Sequence, residues 1–85
     1  MDKETKVIPK HLMDFLFKAQ KNELTESIIY HRLSRIVSDK KNQEVFEKMS
    51  LEERKHHNIR QTYTKVVVKP NMFRVRLFVF LSRFL

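Results

Sequence analysis

Three side chains in this sequence could do metal chemistry together. Glu26 sits in the middle of one long helical run, and Glu53 and His56 sit three residues apart in the middle of the next. In helical bundles that hold two iron or manganese ions, one helix contributes a Glu and its neighbour contributes Glu-x-x-His, all turned inward. This chain carries that set once, where a complete centre needs it twice. Carboxylate and imidazole donors suit iron and manganese, and a spacing of three puts Glu53 and His56 one turn apart on one helical face. The same spacing also arises on solvated helices, where Glu53 would pair with a Lys or Arg.

Neighbouring residues offer alternatives. Glu52 precedes His56 by four, Glu53 precedes His57 by four, and Glu23 shares the stripe of Glu26. Glu23 and Glu52 read as salt-bridge residues, and His11, His31 and His57 as exposed. Tyr30, one turn beyond Glu26, reads as a packing residue that could also hydrogen-bond a ligand carboxylate.

The elements that must position these groups are helical. Pro9 suits the start of a helix, where its missing N–H would be unpaired anyway. From Lys10 to about Ser38, Leu12, Leu16, Ala19, Glu23, Glu26, Tyr30, Leu33 and Val37 recur at alternating spacings of four and three, an inward stripe that two carboxylates interrupt. The polar break Ser38 to Asn42 offers Asp39 as an N-cap, and its shortness favours an antiparallel hairpin. The second helix is expected from about Lys40 to Tyr63, with Val45, Phe46, Met49, Glu53, His56, Ile59 and Tyr63 inward. Counted from that break, Glu26 and Glu53 reach similar heights.

Thr64 to Pro70 reads as an extended connector, and Met72 to Leu85 as a shorter third helix, apolar and basic, that ends without a polar tail as though cut short. The expected organisation is a flexible lead-in over 1–9, a helical hairpin over 10–63, a connector over 64–71 and a third helix over 72–85, an all-α fold.

Glycine and cysteine are both absent. The first absence disfavours tight turns that need positive φ. The second excludes thiolate metal sites and disulfides, and fits a reducing cytoplasm. The formal charge of +8 arises from 18 Lys and Arg against 10 Asp and Glu, an excess that attracts anionic partners without naming one. The residues from Val75 to Leu85 are too few to span a bilayer alone, which takes roughly 20.

The stretch from Asn22 to Tyr30, then Arg32-Leu33, Asp39 to Asn42, and Glu52-Glu53-Arg54-Lys55-His56, resembles the first half of a rubrerythrin-type, ferritin-like domain. It is especially similar to the version beside the membrane part of vacuolar-iron-transporter-like proteins. The resemblance implies iron as cofactor, two ions per assembled site with manganese as an alternative, held by Glu26, Glu53 and His56, with Glu53 bridging the metals. Such domains continue through a third and fourth helix that bring the second ligand set, whereas no Glu, Asp or His follows Tyr63 here.

The leading expectation is therefore a di-iron half-domain completed by homodimerisation, and an oxidoreductase if the centre assembles. A second reading is a basic helical module whose surface binds nucleic acid or anionic membrane. The segment 72–85 could lie on a membrane, but no nucleic-acid motif is present. A third is an inactive, truncated remnant.

Overall fold

The computed structural model describes residues 8–84 and contains three helices, α1 (Lys10–Ile36), α2 (Lys40–Thr64) and α3 (Met72–Ser82). The fold is all-α, a long antiparallel hairpin followed by a short third helix. Most of the lead-in expected over 1–9 lies outside the described residues, as does Leu85. α3 closes at Ser82, followed by a turn at 83–84, so it is shorter than expected.

Local chemistry explains the helix ends. The Pro9 carbonyl accepts the N–H groups of Leu12 and Met13, both at 3.0 Å. The Asp39 carboxylate accepts the Asn42 N–H at 3.3 Å, and the Asn71 side-chain oxygen accepts that of Arg74 at 3.1 Å, each satisfying an N–H that has no partner within its own helix. α2 ends on Lys65, whose φ of 58° is left-handed. Glycine normally fills that position, and this chain has none.

The two long helices meet along polar side chains. Gln20, Ser27 and Ser34 are buried on α1, and Ser50, His57 and Thr64 are buried on α2, both sets at intervals of seven. A seven-residue interval keeps one line of side chains facing a neighbouring helix. The Ser50 hydroxyl donates to the Ser27 carbonyl at 2.6 Å, and His57 Nδ1 lies 3.1 Å from the Gln20 carbonyl oxygen. The Gln20 side chain donates to the Val66 carbonyl at 2.6 Å and accepts from the Thr64 hydroxyl at 2.7 Å. At the opposite end, Gln43 donates to the Val37 carbonyl at 2.8 Å, closing the turn.

This seam corrects two expectations. His57 is buried in the helix contact and not exposed. The stripe expected to face inward, from Leu12 to Val37, lies beside the contact, where Leu12 is exposed and its other members are only half-buried. Polar side chains that reach a carbonyl or hydroxyl across the gap take the innermost line, and the apolar stripe is left to an open groove.

α3 packs on α1 and not on α2. The Asn71 N–H donates to the Thr25 hydroxyl at 2.9 Å, and Arg74 reaches Glu26 at 3.1 Å. Ile29 and Val75 are the fully buried aliphatic side chains among the described residues. The Cα envelope measures 55 × 23 × 15 Å, a single layer of helices with both faces open.

Two stability changes follow. Lys65→Gly should stabilise the chain by about 1 kcal/mol by relieving the left-handed residue, read as a shift in the urea midpoint at constant slope. Gln20→Leu should destabilise it by about 2 kcal/mol, because the Thr64 hydroxyl and Val66 carbonyl lose their partner.

Candidate metal centre

The hairpin register decides which carboxylate of α1 meets Glu53 and His56. Ser27 faces Ser50 and Gln20 faces His57, so the interval between Glu53 and His56 lies across from residues 21–24. Glu23 falls within it. Oxygen and nitrogen atoms of Glu23, Glu53 and His56 come within 4.8 Å of one another. Glu26 lies nearly a turn further along α1 and is engaged by Arg74, whose guanidinium donates to its carboxylate at 3.1 Å. Of the three residues singled out in the sequence, Glu53 and His56 converge, and Glu23 takes the place expected of Glu26. The helix turn explains the shift: α1 ends at Ile36, not Ser38, so the fold point lies earlier and heights counted from it move toward the amino terminus.

Glu23 also makes the salt bridge expected of it. Its Oε2 accepts from Arg60 Nε at 2.7 Å, while the side chain is only 12% exposed. Its other oxygen, Oε1, is buried and has no hydrogen-bond partner. A buried carboxylate oxygen without a donor is costly, and a cation would relieve it. On α2, His56 Nδ1 lies 3.4 Å from Glu53 Oε1, with the imidazole half exposed. Two carboxylates and an imidazole, one carboxylate oxygen being buried without a donor, fit a hard to borderline cation such as iron or manganese. Glu23, Glu53 and His56 would hold it, and their open side would take additional ligands.

Around this group the groove is apolar. Toward the hairpin turn lies a hollow of about 320 Å³ bordered by Tyr30, Val45, Met49 and Glu53. Toward the other end lies one of about 170 Å³ bordered by Leu16, His56, Ile59 and Tyr63. Tyr30 stacks on Phe46 with ring centroids 6.3 Å apart, as its packing role requires. Its pKa is raised by burial and by the negative charges of Glu26 and Glu53, with Arg74 pulling the other way.

A sequence model of rubrerythrin matches residues 14–76, about three-quarters of the chain, including all four helix residues just described on either side of the seam, Glu23, Glu53, His56 and Tyr30. The chain belongs to the rubrerythrin family. Its hairpin is the helical scaffold of a ferritin-like, iron-binding domain. No curated protein and no solved structure gave a significant match.

Two residues of this rubrerythrin-family site escaped sequence reasoning. Arg60 follows His56 by four and so shares its helical face, a spacing that could have flagged it. Arg74 comes from α3, and no local pattern connects it with Glu26.

Loss of Glu23 should weaken binding of ferrous iron beyond the roughly 10–100-fold that removal of an outer-shell partner causes, and loss of Glu26 should cost less than that. Anaerobic titration of Glu23→Ala and Glu26→Ala, with helicity followed by circular dichroism, checks the order.

Proposed function

We propose that the chain supplies half of a di-iron centre, that a second copy supplies the other half, and that the assembled centre oxidises ferrous iron or reduces peroxide. The observation that carries this reading is the convergence of Glu23, Glu53 and His56 around a buried carboxylate oxygen that lacks a donor. The rubrerythrin family match over residues 14–76 supports iron as the metal.

Completion by a second copy is supported by the groove itself. Val45, Met49, Ile59 and Tyr63 stand exposed on both sides of the ligands, although single exposed apolar residues are ordinary and a contiguous set is not. Pairing two hairpins groove to groove would cover these residues, produce four helices from two layers, and bring the ligand set twice into one core. Bound iron would supply the one-electron chemistry; the protein contributes placement and charge.

The charge balance of the half-site bears on that role. Arg60 pairs with Glu23 and Arg74 with Glu26, while Glu53 has only the His56 imidazole beside it, so each chain brings a small negative excess to the centre. Arg60 holds one oxygen of Glu23 and leaves the other for a metal. His56, half exposed in one chain, would be enclosed by the partner, which excludes water from the reacting groups.

Sedimentation equilibrium with and without ferrous iron, run beside an iron titration, tests the proposal. Saturation near one ion per chain, with a dimer mass that Glu53→Ala lowers toward the monomer, is the expected result. A monomer that takes up no iron at millimolar concentration overturns it.

A further inference from the structure

The positive charge of this chain is concentrated in one part of it. Residues 1–53 hold ten Lys and Arg against ten Asp and Glu, whereas residues 54–85 hold eight Lys and Arg and no acidic residue, so the whole excess of +8 resides in the latter segment. α3 and its approach lie there. Exposed aromatic and aliphatic residues are dense in the same place.

Phe73, Leu77, Phe80 and Leu81 of α3 and Phe84 of the turn after it are all exposed, Phe73 by 75% and Phe84 by 72%. Val75, fully buried, occupies the opposite side of the helix, turned to the body of the protein. Phe78 is exposed on another side, so α3 shows apolar side chains to solvent along its length and around more than its outer face. No helix among the described residues is long and apolar enough to cross a membrane.

Beside these side chains lies a basic hollow. Arg32 of α1, Arg76 of α3 and Arg83 of the turn after it border a space of about 290 Å³ together with Val79 and Phe80, and among the described residues no carboxylate borders it. Among the described residues, none of these three arginines is in a salt bridge, unlike Arg60 and Arg74. Guanidinium groups favour phosphate oxygens, which they can engage with paired donors. Exposed aromatic side chains beside arginines that meet no carboxylate among the described residues combine the two attractions, apolar insertion and charge, that hold a segment at the surface of an anionic bilayer.

We propose that α3 is a membrane-surface anchor: Phe73, Leu77, Phe80 and Phe84 enter the acyl boundary of an anionic phospholipid bilayer while Arg32, Arg76 and Arg83 receive headgroup phosphates. A second copy is the weaker occupant of this face, because pairing α3 with α3 would bring like-charged arginines together with no Asp or Glu in either segment. A bilayer supplies apolar depth and negative charge at once. The candidate metal ligands lie in the groove between α1 and α2, and Arg74, which bonds Glu26, is not among the arginines assigned to the headgroups.

The test uses the full chain with vesicles of pure phosphatidylcholine and of phosphatidylcholine mixed equally with phosphatidylglycerol. The chain has no tryptophan, so Phe80→Trp introduces a single reporter. Sedimentation with the anionic vesicles alone and a blue shift of that tryptophan are expected. Arg76→Gln combined with Arg83→Gln should weaken binding by roughly 30-fold, each basic side chain near such a surface being worth about a factor of five. Phe80→Asp should abolish it with helicity unchanged, and Glu53→Ala should leave it intact whether or not iron binds.

Equal binding to both vesicle types, or an unshifted tryptophan, overturns the proposal. Two further outcomes do so by naming another occupant. Retention on duplex DNA that survives Phe80→Asp but not the arginine changes would make the face a nucleic-acid surface. A dimer dissolved by Phe80→Asp, without vesicle binding, would make it a self-association surface.

Discussion

The contact between α1 and α2 is a row of polar side chains, and the other features of the molecule follow from it. Ser50 reaches the Ser27 carbonyl and His57 approaches that of Gln20, while the Gln20 side chain joins Thr64 and Val66. Each of these groups would be costly if buried alone. Together they satisfy one another and fix the register of the hairpin. An apolar seam could tolerate sliding, whereas hydrogen bonds to particular carbonyls require particular partners.

That register aligns the candidate metal ligands. It sets Glu23 across from the interval between Glu53 and His56, and it places Arg60 against Glu23. Each α1 carboxylate near the site receives one arginine from a different element, Arg60 from α2 and Arg74 from α3. Glu26 consequently links the third helix to the hairpin, while Glu23 retains a buried oxygen with no donor. Two carboxylates one turn apart thereby acquire different environments, and only one of them joins the potential ligand set.

The polar seam also determines what remains outside. Because the innermost line is occupied by Gln, Ser, His and Thr, the larger apolar side chains are left to the open faces of a layer 15 Å thick between Cα atoms. Few aliphatic side chains are fully covered within one chain, and small domains bury little apolar surface to begin with. The groove beside Glu53 and the exposed apolar side chains of α3 are two separate consequences. One surrounds carboxylates and an imidazole, the other arginines, so their chemistry selects different occupants.

Periodicity and capping residues were enough to establish the all-α architecture, the hairpin and the short third helix, because Pro9, Asp39 and a break of three polar or extended residues act locally. Glu53 and His56 were legible for the same reason, their common face being fixed by the helix alone. The buried seam was not, since Gln20, Ser27, His57 and Thr64 carry the composition of a solvated surface and reveal their role only when a second helix brings carbonyls and hydroxyls to them. The choice between Glu23 and Glu26 depended on where the chain folds back: a turn placed two residues earlier moves every cross-helix pairing. Arg74 is more distant still, 48 residues from Glu26, and no periodic pattern reports a contact made by packing one helix on another.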